Sequence, residues 1–88
     1  MTQSTSIIVW SKDNCPFCVK AKAKLNQLHL TYETRMIGDG WTREDLLESV
    51  PNARSVPQII INGEVIGGYD SLVKYCEDTG FNGTGYSL

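Results

Sequence analysis

The feature that most constrains this chain is a pair of cysteines, separated by two residues, placed shortly after an apolar segment. Residues 6–10 (Ser-Ile-Ile-Val-Trp) are mostly apolar and rich in β-branched side chains, a pattern that favours a buried strand. A polar turn follows, and Cys15 and Cys18 then flank Pro16, a residue suited to the first position of a helix. The sequence therefore predicts a strand, a turn and a helix, with both cysteines at the helix N-terminus.

Hydrophobic periodicity and turn signals place the remaining elements. The segment after Pro16 repeats apolar residues at spacings of three and four, so this helix is expected to end near His29. Asn62-Gly63 is a strong hairpin signal, and residues 42–45 have the pattern of a helix capping box. In chain order, the later predicted elements are a strand at 30–36, a helix ended by Pro51-Asn52, strands at 58–61 and 64–66, and a helix capped by Asp70.

The resulting order, β-α-β-α-β-β-α, defines the expected fold class. A strand–helix–strand start implies a parallel pair with a right-handed crossover, and the later hairpin adds antiparallel strands. We therefore expect an α/β fold with a four-stranded mixed sheet flanked by three helices. A single domain is expected over residues 1–88, with its core at about 6–78 and a loose C-terminal tail.

Composition and charge narrow the functional classes. The net charge of −2 argues against a nucleic-acid partner, and no apolar stretch is long enough to span a membrane. Residues 1–6 lack the features of a secretory signal, so the expected location is the cytoplasm. Residues 12–24 nevertheless carry four lysines and one acid, a local charge of +3. This basic patch indicates a small anionic partner, with a solvated helix face as the open alternative.

The expected positions of the two cysteines give them different roles. At the helix N-cap, unpaired backbone N–H groups and the helix dipole favour a thiolate at Cys15, and Lys12 adds a positive charge nearby. The thiolate is the form that attacks disulfides, so Cys15 is the predicted nucleophile. Cys18 lies on the apolar helix stripe, shielded from substrate yet close to Cys15, as a resolving thiol requires.

A metal site is the structural alternative for this cysteine pair. Zinc normally takes four ligands, and the chain offers only Cys76 and His29 in addition. The first helix separates His29 from the pair by roughly 15 Å, so no metal is expected. Cys76 is interpreted as a buried core residue, and an oxidation-sensitive or dimer-forming thiol is its alternative.

Three motifs in order resemble the glutaredoxin family. They are Cys-Pro-Phe-Cys at 15–18, Ser-Val-Pro at 55–57 and Gly-Gly-Tyr-Asp at 67–70. The resemblance runs from about Ile7 to Glu77. It implies a thioredoxin fold and a glutathione-dependent thiol–disulfide oxidoreductase, with glutathione as the reductant.

The resemblance also implies a set of site residues. The family has a cis bond before the proline that matches Pro57, and the Val56 backbone beside it is available to pair with a peptide-like substrate. In the glutathione site, Asp70 takes the ammonium group and Lys12 is placed for the glycyl carboxylate. Arg54, and less favourably Arg43, can also reach that carboxylate, with a solvated surface charge as the alternative for both. The full set of expected glutathione-binding residues is Lys12, Phe17, Arg54, Val56, Pro57, Gly68, Tyr69 and Asp70.

The implied partners are glutathione and proteins that carry disulfides or glutathionyl groups, with ribonucleotide reductase a family-level possibility. A monomer without membrane association is expected. One alternative is a thioredoxin-like redoxin reduced by thioredoxin reductase, which the glutathione motif at 67–70 argues against. Another is an iron–sulfur carrier that shares a cluster between two subunits through Cys15 and glutathione. Family members that favour this role usually lack a proline at the position of Pro16.

Overall fold

The first strand and helix form where the apolar segment and Pro16 predict them. In the computed structural model, which describes residues 5–79, β1 spans Ile7–Ser11 and α1 spans Pro16–Gln27. The later elements are β2 (Glu33–Met36), α2 (Arg43–Ser49), β3 (Gln58–Ile61), β4 (Glu64–Gly67) and α3 (Tyr69–Thr79). The predicted order and the four-stranded mixed sheet with three helices are therefore confirmed. The predicted tail at 80–88 lies outside the described residues.

The two most apolar strands occupy the centre of the sheet. The strand order is β2-β1-β3-β4, with β1 parallel to β2 and antiparallel to β3, and with β3 antiparallel to β4. In the β1–β3 register, Ile8 faces Ile60 and Trp10 faces Gln58. A central strand is covered on both faces, which is why β1 and β3 are nearly continuous apolar runs.

Alternation along the central strands divides the core between the two faces of the sheet. Val9 and Ile59 point to one face, where they pack with Leu25 of α1 and Leu72 of α3. Trp10 and Ile60 belong to the other cluster, which also contains Leu46 of α2 and Val50, the residue at the C-cap of that helix. Thus α1 and α3 cover one face and α2 covers the other, because successive strand side chains point in opposite directions.

Strand β2 begins later than predicted because the end of α1 uses the preceding residues. His29 has a φ of 59°, and its N–H donates to the Asn26 carbonyl at 3.0 Å. The Leu30 N–H donates to the Leu25 carbonyl at 3.0 Å, which completes a Schellman motif. His29 therefore takes part in the C-terminal cap of α1, and the helix ends near His29 as predicted. Leu30 is buried but is not part of the β-ladder, so the strand starts at Glu33.

The other predicted caps have mixed outcomes. The capping box of α2 is confirmed: the Asp45 N–H donates to the Thr42 hydroxyl at 3.1 Å, and the Thr42 N–H donates to the Asp45 carboxylate at 2.9 Å. The predicted capping role of Asp70 is wrong. Helix α3 already begins at Tyr69, and the Gly68 carbonyl accepts the Leu72 N–H at 3.0 Å. Asp70 is an exposed acid in the first helical turn instead.

The hairpin between β3 and β4 is confirmed. Asn62 and Gly63 both have positive φ, 52° and 82°, as a two-residue turn matching the twist of its strands requires. None of the helices described in residues 5–79 is both long and apolar enough to cross a membrane.

The core packing of α1 predicts a large stability difference between two positions of that helix. Leu25 is 0% exposed and Val19 is 67% exposed. We expect Leu25→Ala to lower the free energy of unfolding by about 2–5 kcal/mol through lost burial and a residual cavity. Val19→Ala, the matched control, is expected to change it by less than about 0.5 kcal/mol. Urea denaturation of the reduced proteins measures both values, and equal losses would contradict this packing.

Candidate active site

The two cysteines occupy the predicted positions at the start of α1. Cys15 is the N-cap, with extended backbone (φ −114°, ψ 99°), and Pro16 is the first helical residue. The Cys18 N–H donates to the Cys15 sulfur at 3.2 Å, so this sulfur satisfies one of the otherwise unpaired donors of the helix end. The local sequence, a turn followed by proline, accounts for this geometry without help from the rest of the fold.

Cys15 and Cys18 form a disulfide, with their Cα atoms 5.2 Å apart. Cys18 is only 2% exposed and faces the core, whereas Cys15 is half-buried at the surface. An incoming sulfur therefore has access to Cys15 first. This difference in exposure agrees with the predicted assignment of Cys15 as nucleophile and Cys18 as resolving thiol.

The segment before β3 lies directly against the reactive sulfur. The Val56–Pro57 peptide bond is cis, and the Val56 carbonyl oxygen lies 3.6 Å from the Cys15 sulfur. The Gln58 side-chain amide donates to the Ser55 carbonyl at 3.0 Å and holds the turn before the strand. Because Gln58 pairs with Trp10 across the β1–β3 ladder, the start of β3 is held near the end of β1.

One cavity lies between this segment and the start of α3, and we call it the Asp70 cavity. Its volume is about 270 Å³. The rings of Phe17 and Tyr69 lie 6.4 Å apart at its side, and Phe17 is 52% exposed. The lining residues are Phe17, Ser55, Val56, Pro57, Gly68, Tyr69, Asp70 and Ser71. Six of the residues expected to bind glutathione are thus brought together here, together with Ser71, which the sequence motifs did not identify.

Glycine occupies the two positions before α3 for different structural reasons. Gly67 has a φ of +116°, a backbone conformation that other residues rarely adopt. Gly68 has no such requirement, since an added Cβ would meet only the Pro57 carbonyl oxygen, at an ordinary 3.7 Å. The backbone conformation of the protein thus accounts for Gly67. Gly68 leaves open space on the wall of the Asp70 cavity.

A second cavity, which we call the Arg43 cavity, lies on the other side of Val56. Its volume is about 290 Å³, and it shares Ser55 and Val56 with the Asp70 cavity. Lys12 and Arg54, the two expected glycyl-carboxylate ligands, both line it. Its other lining residues are Ile37, Arg43, Leu46, Leu47 and Ala53. The expected glutathione-binding residues therefore fall on two adjoining cavities, of which one carries an acid and the other carries cations.

Comparison with known proteins assigns the family. The family model described as Glutaredoxin matches residues 7–66, more than half of the chain. This chain belongs to the glutaredoxin family. Glutaredoxin-C4 of Arabidopsis thaliana is 38% identical over 77 residues, covering 84% of this chain and 57% of that protein. Glutaredoxin-C8 of Oryza sativa subsp. japonica is 34% identical over 76 residues, covering 81% and 56%. The chain thus spans a little more than half the length of these plant relatives.

Solved glutaredoxin structures share the fold. Reduced Escherichia coli glutaredoxin superposes with a TM-score of 0.71 at 28% identity, covering 83% of this chain and 94% of that one. A buckwheat glutaredoxin–glutathione complex superposes with a TM-score of 0.74 at 30% identity, covering 86% and 72%. The predicted thioredoxin fold is therefore confirmed. Glutaredoxins are thiol–disulfide oxidoreductases, and the placement of Cys15 and Cys18 in this member of the family suits that chemistry.

Arg43, which the sequence analysis gave only as a weaker candidate, lies beside the other two cations. It stands at the first position of α2, far in sequence from the three glutaredoxin motifs, yet it lines the same cavity as Lys12 and Arg54. The available signal was the capping box at 42–45, which places Arg43 at a helix start. The capping box does not indicate which other parts of the chain lie beside Arg43. The grouping of Arg43 with Lys12 and Arg54 is therefore visible only in the tertiary structure.

Cys76 lies apart from the active site of this glutaredoxin. It is a free thiol, 9% exposed, packed in the cluster between α1, α3 and the sheet. Burial raises the pKa of the Cys76 thiol, and the charge of Lys24 offsets part of this effect. The interpretation of Cys76 as a core residue is confirmed. Within residues 5–79, no three His, Cys, Asp or Glu side chains gather where they can hold a metal ion.

The raised pKa and burial of Cys76 predict selective alkylation of the reduced protein. At pH 7 a thiol of raised pKa carries less thiolate than an ordinary cysteine, so Cys76 is expected to react at least about tenfold more slowly with iodoacetamide than Cys15. Through the usual thiol range of pH, labelling of Cys76 is expected to stay slower in the folded protein than in urea-unfolded protein. Mass spectrometry of the labelled peptides measures both rates, and labelling of Cys76 before Cys15 would refute this order.

Proposed function

We propose that this glutaredoxin is a glutathione-dependent thiol–disulfide oxidoreductase that reduces protein disulfides and glutathionyl mixed disulfides. The observation that carries the proposal is the redox-active geometry of Cys15. Its sulfur lies at the N-terminus of α1, is joined to Cys18, and lies 3.6 Å from the carbonyl oxygen of Val56, a residue that lines two cavities of opposite charge.

The environment of Cys15 supports its role as the attacking group. The Cys18 N–H donates to the Cys15 sulfur, and the positive end of the α1 dipole is directed at the same sulfur. Both effects favour the thiolate, which is the nucleophilic form of cysteine. Helix α1 has no acidic residue in its first turn to oppose them.

The two cavities suit the two ends of glutathione. The γ-glutamyl end carries an ammonium group and a carboxylate, for which Asp70 and the backbone N–H groups at the start of α3 are suitable partners. The glycyl end is a carboxylate, for which Lys12 and Arg54 of the Arg43 cavity are suitable. Val56 lies between the cavities, where its backbone can pair with the cysteinyl part. The related buckwheat protein was crystallised as a glutathione complex, which supports this assignment.

With a glutathionylated protein, the proposed reaction uses Cys15 alone. The Cys15 thiolate attacks the glutathionyl sulfur, the bond between glutathione and the protein breaks, and the protein leaves as a thiolate that takes up a proton. Cys15 now carries the glutathionyl group. The thiolate of a second glutathione then attacks the glutathionyl sulfur, which forms glutathione disulfide and releases Cys15 as a thiolate.

With a protein disulfide, Cys18 is needed as well. The Cys15 thiolate forms a mixed disulfide with one substrate sulfur, and the other substrate sulfur leaves as a thiol. The Cys18 thiolate then attacks the Cys15 sulfur, which frees the second substrate thiol and leaves the Cys15–Cys18 disulfide. Two glutathione molecules supply the two electrons that reduce this disulfide again.

The proposed setting follows from this chemistry. Glutathione is kept reduced in the cytoplasm, so a glutathione-fed dithiol is proposed to act there. One chain carries both thiols and both cavities, so a monomer is the proposed working form. Ribonucleotide reductase is one protein disulfide substrate that such an enzyme can serve.

Single-cysteine variants test the proposed roles. In turnover of a glutathionyl mixed disulfide coupled to glutathione reductase, Cys15→Ser is expected to lose all measurable activity because it lacks the nucleophile. Cys18→Ser is expected to retain this activity but to lose reduction of a protein disulfide. Cys76→Ser is the matched control and is expected to retain both.

The wild-type protein decides between the rival functions in the same assay. Absence of glutathione-coupled turnover, with reduction by thioredoxin reductase instead, would replace the proposal by a thioredoxin-like role. A brown protein with visible iron–sulfur absorbance would instead favour the cluster carrier.

Neutralising Asp70 tests the assignment of the γ-glutamyl end. Asp70→Asn removes a charge partner for the glutathione ammonium group. Asp70 is exposed, so we expect only about a two- to fivefold rise in the KM for a glutathionyl mixed disulfide, with kcat little changed. Asp78→Asn, an exposed acid near the other end of α3, is the matched control. An unchanged KM in Asp70→Asn would remove Asp70 from the glutathione site.

A further inference from the structure

The Arg43 cavity has an apolar floor and three cations, more than the glycyl carboxylate of glutathione can contact. We propose that it binds the segment that follows the reactive cysteine of a protein disulfide substrate, and that it selects a segment with a large apolar side chain next to a carboxylate. This inference rests on the proposed disulfide reductase function and specifies its substrate class. The evidence lies in the floor of the cavity, its cations and the polarity of the groove.

The floor of the cavity is apolar. Leu46 belongs to the second core cluster, and two partly buried residues, Ala53 and Ile37 from the loop after β2, pack against that cluster. Leu47 is half-buried and lines the cavity from α2, although it is not part of either core cluster. A glycine residue has no side chain to cover such a surface, whereas a leucine or phenylalanine side chain would bury it.

Three cations surround this floor and come from three separate segments. Lys12 follows β1, Arg43 begins α2, and Arg54 precedes the Val56 segment. Within residues 5–79, none of the three forms an ion pair with a protein carboxylate. Asp13 and Glu44, which follow Lys12 and Arg43 in sequence, are exposed, and Asp45 accepts the Thr42 N–H in the capping box. One glycyl carboxylate offsets only part of this positive charge, so the same cations also suit a peptide segment that carries a carboxylate side chain.

The Asp70 cavity and the Arg43 cavity together form a groove past Val56, and their opposite charges favour one chain direction for a bound peptide. Asp70 on one side favours the amino end of a bound chain, and the cations of the Arg43 cavity favour the carboxyl end. In an extended segment, side chains two residues apart point the same way. With the substrate cysteine directed at Cys15, the side chain two residues later also points at the protein and is the first to reach the apolar floor.

Exchange equilibria with short peptides test this inference. The Cys18→Ser protein is loaded with glutathione at Cys15 and equilibrated with acetyl-Ser-Cys-Gly-X-Ser-Glu-amide, where X is leucine or alanine and where X and the glutamate lie on the same face as the cysteine. One S–S bond breaks and one forms, so no other oxidant or reductant is needed. The two peptides have equivalent thiols, and the ratio of their exchange constants therefore reports the contact made by X. Peptide mapping by mass spectrometry confirms that Cys15 is the modified residue.

We expect the leucine peptide to be favoured over the alanine peptide by roughly three- to tenfold. Replacing the peptide glutamate by glutamine is expected to weaken exchange by roughly two- to fivefold at low salt, and by less at high salt. Leu47→Ala should remove most of the leucine preference, and Arg43→Gln most of the glutamate preference. Lys74→Gln, an exposed cation on α3 outside the Arg43 cavity, is the matched control and should retain both.

Equal exchange constants for the leucine and alanine peptides would overturn the inference. Preferences that persist in both Leu47→Ala and Arg43→Gln would also overturn it, because the peptide would then contact another surface. So would exchange that weakens as protein concentration rises, which would place a second copy of the chain in the cavity. The equilibrium is measurable without catalytic turnover, so its outcome is separate from the glutathione-coupled assay that tests the proposed function. Arg43 is exposed, so its variant gives a result even where Leu47→Ala proves unstable.

Discussion

The antiparallel pairing of β1 with β3 is the constraint on which the rest of the structure depends. Both strands are central in the sheet and covered on both faces, so their register is strongly determined by burial. The pairing of Trp10 with Gln58 sets the end of β1 beside the start of β3. Cys15 and Val56, which are 41 residues apart in sequence, meet as a consequence.

The site divides its work between two helix N-termini and the segment between them. Helix α1 presents Cys15 to the groove, and α3 presents Tyr69 and Asp70 from the opposite side. Both helices lie on the same face of the sheet, which allows their N-terminal ends to border one surface. Helix α2 lies on the other face and contributes Arg43 together with Leu46 and Leu47 of the apolar floor. Residues from both helical layers thus contribute to the surroundings of one sulfur atom.

Local sequence rules were most successful where a short-range interaction decides the backbone. The N-cap position of Cys15, the capping box of α2 and the turn at Asn62-Gly63 each depend on residues within a few positions of one another. The errors arose where two local outcomes compete. Leu30 has a side chain suited to a strand, but its N–H completes the cap of α1, and the strand starts later. Asp70 is a good cap residue, but Gly68 already accepts the first helical hydrogen bond.

The sequence by itself determined the fold class, the cysteine pair at a helix start and, by resemblance, the set of residues expected to bind glutathione, because periodicity, capping and contiguous motifs are properties of neighbouring residues. Only the tertiary structure decided that those residues divide between two cavities on either side of Val56. It also decided that Arg43 joins Lys12 and Arg54 around an apolar floor. These groupings depend on strand register and on which sheet face each helix covers. Both are set by long-range burial, for which no short segment carries a signal.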